Sequence, residues 1–357
     1  MEENGRRRRH DGASRTSPYR QWREGEGIPS YAGSHLDSLY TTETKPWPRF
    51  GQNGAFVNLA EQEADDGWVI EIAPTGHTEP VHHMFEAGVF VVDGRGATTF
   101  WQAGKPKQTV EWQKGSIFSP PLNCWYQHYN LDGQRPARLF AVTNAPMVMN
   151  LYRNSKFAFD CDYVFDDRYA GEEDYFSARG EQLEEQLWKT NLVPDIRAFT
   201  LRDRPGRGYG NLRMGFLLAN NQMAAHCSDF PAGTYKAGHR HNVGAHVIVL
   251  NGEGYSMLWF GGEERRRVDW KDGSVLSPKE NEFHQHFNTG PTPARYLAFR
   301  LGALDRRQGA GEEGGAPDQI QYDEEDPSIY DTYAAECAKR GAEVVLPRPA
   351  YHEVARR

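Results

Sequence analysis

The chain has 357 residues, 38% of them hydrophobic, and a formal net charge of −8. That length supplies core for two ordinary domains, and the mildly acidic balance argues against nucleic-acid or anionic-membrane partners. No apolar run approaches the ~20 residues that cross a bilayer, and the scattered Cys124, Cys161, Cys227 and Cys337 form no C-x-x-C pair, as expected of reduced thiols in a cytoplasmic protein. Residues 1–45 read as a flexible N-terminal arm. Its Arg6-Arg7-Arg8-Arg9 run is followed by no apolar export segment and is taken as solvated. From Trp47-Pro48 and Phe56-Val57-Asn58-Leu59 onward the pattern is that of short strands, punctuated by many glycines and prolines.

An internal repeat organises the middle of the chain. A shift of 158 residues lays Val91-Val92-Asp93-Gly94-Arg95-Gly96 on Val249-Leu250-Asn251-Gly252-Glu253-Gly254, Trp101 on Trp259, Trp112 on Trp270, and Gln127-His128-Tyr129-Asn130 on Gln285-His286-Phe287-Asn288. One residue is then dropped, and Pro136-Ala137-Arg138 meets Pro293-Ala294-Arg295. Residues 46–150 and 206–302 are therefore two copies of one β-unit. Between them, residues 151–205 form a connector rich in aromatics (Phe157, Phe159, Tyr163, Phe165, Tyr169, Tyr175) that is expected to pack on the barrels. Within it, Ser177 can cap a helix running through Gln182–Trp188. Residues 303–357 open with a glycine-rich acidic stretch. A helix follows, capped by Asp326, carrying Pro327 in its first turn and stopping at Gly341.

The second copy carries the chemistry. His239 and His241 are two apart, as are His284 and His286, so each pair leaves one face of a strand. The run His246-Val247-Ile248-Val249-Leu250 is a strand, and Asn251-Gly252-Glu253-Gly254 reads as a hairpin turn behind it. Histidines delivered from several strands into one interior are a common way for a β-barrel to hold a single metal ion.

The arrangement H-x-H, then a glycine, then G-x4-P-x5-H-x3-N resembles the two signature motifs of the cupin superfamily. The resemblance implies an all-β fold of tandem cupin barrels, double-stranded β-helices of the jelly-roll type, with a few flanking helices. It also implies His239, His241 and His284 as metal ligands. The family's glutamate position is assigned to His246, counted as a fourth ligand or, standing off, as an acid or base. His286 and its neighbour Gln285 are expected just outside the ligand set. In the first copy the ligand positions hold Val81, His83, Gly88 and Tyr126, so that copy reads as a degenerate scaffold, although His82, His83 and Glu86 lie close together in sequence.

Neutral imidazoles suit iron, copper, nickel or zinc better than magnesium or calcium; Fe(II) is the expected ion, with Mn, Ni, Cu and Zn open beside it. The ligand motifs look most like those of gentisate- and salicylate-type dioxygenases, with quercetin-type dioxygenases and oxalate decarboxylases also among two-cupin proteins. The implied function is an Fe(II) dioxygenase acting with O2 on a small, oxygen-bearing, aromatic or enolisable molecule. A non-oxidative metal-dependent isomerase, lyase or decarboxylase and a metal-binding protein without turnover stay open beside it. A homo-oligomer is expected, Arg300 is a candidate partner for a substrate carboxylate, and Tyr255 and Trp259 belong to either the pocket or the core.

Overall fold

The structure, a computed structural model, describes residues 16–241, 244–302 and 319–351. Each copy of the repeat builds a barrel from a large and a small sheet. In the first, Gln52–Leu59, Asp66–Ile72, Ala137–Thr143 and Ala87–Asp93 run side by side in the large sheet, and Trp125–Asn130, Arg95–Trp101 and Gln108–Gln113 make the small one. In the second, Leu212–Leu218, Ala224–Phe230, Ala294–Arg300 and His246–Asn251 centre the large sheet. Arg266–Lys271, Glu253–Trp259, Phe283–Asn288 and Gly238–His239 form its small sheet.

The large sheets are buried on both faces. Along Ala224–Phe230, Ala225 and Cys227 join a cluster between the barrels, while His226 and Ser228 line the cavity of the second barrel. This is the two-residue alternation of a strand. The between-barrel cluster takes Phe90, Phe140 and Val142 from one copy and Phe216, Leu297 and Phe299 from the other. Each such buried side chain is worth about 1.5–3 kcal/mol over leaving it in water, so the barrels stabilise one another.

Strand exchange locks the pair together. His35–Leu36, from the N-terminal region, pairs with Val275–Leu276 of the second barrel, and Leu192–Val193, from the connector, pairs with Ile117–Phe118 of the first. The strands that precede them also correspond: Ser30–Gly33 runs parallel to Phe56–Leu59, and Leu187–Thr190 runs parallel to Gly215–Leu218. The duplicated unit thus begins well before the stretch where sequence similarity reveals it.

Three local expectations are corrected. Residues 16–45, read as part of a flexible arm, are built into the fold. Helix Pro18–Gly25 is capped by Ser17, Tyr19 donates to Asp66 at 2.5 Å, and the Trp22 ring lies 5.6 Å from those of Phe56 and Trp68. The Arg6–Arg9 run lies outside the described residues. The connector helix is instead a β-hairpin, Glu181–Glu184 with Leu187–Thr190, because the second strand fills an open sheet edge beside Gly215–Leu218. Tertiary pairing there overrides the helical preference of Gln, Glu and Leu. Finally, Asn251-Gly252-Glu253 is not a hairpin but a corner at which the chain leaves the large sheet for the small one. Gly252 has φ +90° and a Cβ there would sit 2.8 Å from the Ala294 Cα, and Gly94 meets Ala137 in the same way.

The C-terminal helix, Pro327–Lys339, is capped by Asp326 as the sequence suggests. It docks on the outer face of the second barrel's small sheet. There Ile329, Tyr333 and Cys337 join Tyr235, Tyr255 and Phe287, and the Tyr333 hydroxyl donates to backbone carbonyls of Thr234 and Asn288. Residues 303–318, most of the acidic glycine-rich stretch, lie outside the described residues. Gln319–Ile320 adds a strand beside Gly238–His239.

Candidate metal centre

Antiparallel pairing of Gly238–His239 with Phe283–Asn288 sets His239 directly opposite His284, their ring centroids 4.2 Å apart. His241 comes in from the same side, 4.9 Å from His284. One ring nitrogen from each of the three lies within 4.8 Å of the others. His239 Nδ1 is 3.2 Å from the Ala237 carbonyl and His284 Nδ1 is 3.1 Å from the Glu282 carbonyl. A carbonyl only accepts, so both Nδ1 atoms carry the proton, and both Nε2 lone pairs are left to bind an ion. Burial first, and then the neighbouring imidazoles, hold His239 and His284 well below the ordinary histidine range. Both are thereby kept in the neutral form that metal ligation requires. Three imidazole nitrogens converging in one cavity fit a divalent transition ion. Among the described residues no other such group of three occurs.

His246 is not part of this cluster. Alternation along its strand sends Ala245 and Val247 into the cavity and His246 to the opposite face, between the barrels. There its Nδ1 lies 3.1 Å from Asp65 Oδ1 and its Nε2 3.3 Å from the Val57 carbonyl. The position facing the metal cluster, where the motif resemblance implies glutamate, is held by Ala245. His246 is therefore neither ligand nor acid–base group for this cavity. Gln285 is also on the wrong face: it points outward and donates to Glu325 at 2.9 Å.

His286 does belong to the cavity. Ser256 Oγ receives the Trp270 indole N–H at 3.0 Å and lies 2.7 Å from His286 Nδ1. The indole can only donate, so the serine oxygen accepts from Trp270 and its contact with Nδ1 fixes the ring's orientation. The first copy repeats the chain as Trp112, Thr98 and His128, at 2.9 and 2.7 Å. That relay survives duplication where the ligand set does not, which marks it as scaffold holding the ring in place.

In the first barrel both ring nitrogens of His83 are engaged, by the Phe85 carbonyl at 2.6 Å and the Tyr126 hydroxyl at 2.9 Å. Burial pushes its pKa down to about 3. Glu86 pairs with Arg168 at 2.9 Å and accepts from the Met223 amide. These side chains serve packing between the copies and do not converge on a vacant point.

The rest of the second cavity was not singled out in the sequence, apart from Arg300. Arg207, Arg213, His226, Ser228, Lys236 and Tyr296 line it, and no acidic side chain does among the described residues. The repeat contained a signal for them. Sheet register matches His226, Ser228, Lys236 and Tyr296 with Trp68, Ile70, Thr78 and Leu139 of the first copy. The first barrel is plugged by the rings of Trp47, Phe50, Phe56, Trp68 and Phe85, and the second is kept polar. Tyr255 and Trp259 are not cavity residues: Tyr255 packs under the C-terminal helix, and Trp259 stacks on Phe283 at 5.5 Å.

No family model and no curated protein matches the sequence. Solved structures do match in shape. An oxalate decarboxylase superposes with TM-score 0.53 at 11% identity, over 76% of this chain and 78% of its own. The Lactobacillus farciminis oxalate decarboxylase, as a formate complex, gives 0.52 at 11%, over 76% and 86%. The vicilin of hazelnut, Corylus avellana, gives 0.50 at 10%, over 76% and 86%. The chain has the tandem cupin fold. Because decarboxylases and a vicilin stand together among its neighbours, the fold by itself assigns no activity. No helix among the described residues is long and apolar enough to cross a membrane.

Proposed function

We propose that this tandem cupin protein is a metal-dependent enzyme whose second barrel holds one divalent transition ion on His239, His241 and His284. The reaction we infer is non-oxidative, a decarboxylation or a related lyase or isomerase step on a small oxygen-bearing anion. The observation that carries this is the histidine triad set in a cavity lined by cationic and polar side chains, with no carboxylate among the described residues. The cavity that the triad and these side chains line is small, about 40 Å³. Similar folds include oxalate decarboxylases, one of them described through its Mn(II) centres, which favours the same direction.

A bound ion would supply a Lewis acid and a template for the substrate's oxygens. The chain's own part is to orient and exclude. The Ala237 and Glu282 carbonyls fix the tautomers of His239 and His284, Ser256 orients the His286 ring, and the cationic lining favours a negatively charged guest. One observation supports the oxidative alternative, an Fe(II) dioxygenase. With Ala245 at the glutamate position, an ion held by His239, His241 and His284 would have no carboxylate ligand there and would keep room for both substrate and O2. The test is a panel of small carboxylic acids offered to protein loaded separately with Mn, Fe, Ni and Zn, following CO2 release and O2 uptake. Turnover that persists without O2 supports the first reading. O2 consumption matching substrate loss replaces it with the second, and no turnover with any metal refutes both.

A further inference from the structure

Lys236 is an unusual residue for a barrel interior. Its side chain is only 3% exposed, and its ammonium is held by Ser228 Oγ at 2.6 Å and Tyr296 Oη at 2.8 Å. No carboxylate pairs with it among the described residues. The aliphatic stem and charge rest over the Tyr296 and Phe230 rings, with Nζ at 4.5 and 5.3 Å from their centroids. A buried ammonium without a counter-anion is costly, and packing alone does not call for it, because the first barrel places Thr78 at this position and Leu139 at that of Tyr296.

Donor accounting shows what the group offers. An ammonium has three N–H donors, and two are used. The Ser228 hydroxyl, having accepted from Lys236, passes its own proton to the Leu212 carbonyl at 2.8 Å. The Tyr296 hydroxyl accepts from Lys236, and its proton has no acceptor among the described residues. One N–H and one O–H, on atoms 2.8 Å apart and both on the cavity wall, therefore remain. Two adjacent donors of this kind match the two oxygens of a carboxylate, whose negative charge supplies the counter-ion that the buried ammonium lacks among the described residues.

We propose that Lys236 and Tyr296 form a carboxylate-binding subsite facing the histidine triad, so that the substrate is a small bifunctional acid with one oxygen group at the triad and a carboxylate on Lys236. This rests on the triad reading given above for the metal end only. The lysine end stands on its own hydrogen bonds.

The test uses the full chain in two forms, stripped with a chelator and reloaded with Mn(II), with acetate, malonate and neutral methyl acetate as probes in calorimetry. Lys236→Met keeps the length of the side chain and removes the charge, and Tyr296→Phe removes one oxygen. Malonate affinity of the Mn(II) form is expected to fall at least tenfold in Lys236→Met and about threefold in Tyr296→Phe, with Mn(II) stoichiometry unchanged. Acetate binding to the stripped protein is expected to disappear in Lys236→Met, and methyl acetate is expected to bind none of the forms. Equal affinities in wild type and both variants, or no carboxylate binding to either form of the wild type, would overturn the subsite. A wild type that takes up no Mn(II) yet binds acetate through Lys236 would sink the metal reading and leave the subsite standing.

Discussion

Replacing His246 separates a ligand from a structural partner most sharply. Its side chain and that of Asp65 are fully buried, with Nδ1 3.1 Å from Oδ1. Asp66, which accepts from Tyr19, is also close enough to act on the imidazole. Burial pulls the imidazole down, but Asp65 and then Asp66 override it, and the net shift is upward. His246→Leu would leave a buried carboxylate uncompensated, a loss of about 3–5 kcal/mol for breaking such a pair. The contact is short but poorly aligned, and neither atom has a well-angled hydrogen bond, so the lower end of that range is expected. The double variant Asp65→Asn/His246→Leu should recover most of the loss. The sign with pH follows from the raised value: stabilisation is complete below the unfolded pKa of about 6.5 and is lost as pH rises through the folded value. The gap in denaturant midpoint between wild type and His246→Leu should therefore be widest below about pH 6.5 and narrow as pH rises above it. Elemental analysis should find the metal content of the variant unchanged. A variant with a normal midpoint and no bound metal would show that His246 is a ligand and that its orientation here is wrong.

Further outcomes are expected at other positions. His239→Ala and His284→Ala should each strip most of the bound metal, whereas His83→Ala should leave it in place, by elemental analysis of the purified variants. Because His239 and His284 are held below the ordinary histidine range, metal should be retained below about pH 6.5 and released only in more acid buffer; release at or above that value would contradict the geometry of the triad. Glu325, buried against Tyr235 and Gln285, has its pKa raised to about 7, chiefly by burial. Its contribution is full below the unfolded value of about 4.3 and is lost as pH rises toward 7. Docking of helix Pro327–Lys339 should therefore loosen over that window, and Glu325→Gln should flatten the dependence, as read by hydrogen exchange of the helix amides.

The amino-acid order alone determined a good deal. Strand alternation, the paired glycines and the register of the repeat are local or nearly local signals, and they specified two β-barrels with His239, His241 and His284 in the second. The cap at Asp326 is equally local, and the helix starts there. Contacts made at a distance were decided only by the tertiary structure. Which face of His246–Asn251 looks inward depends on strand register within the sheet: a slip of one residue reverses every side chain, so a count along the motif put His246 where Ala245 stands. Glu181–Thr190 became a hairpin because a sheet edge was waiting for it, and residues 30–36 were ordered by strands remote in sequence. Lys236 and Tyr296 are 60 residues apart; neither stands out in the sequence, and only closure of the barrel brings an ammonium and a phenol to one wall beside the histidines.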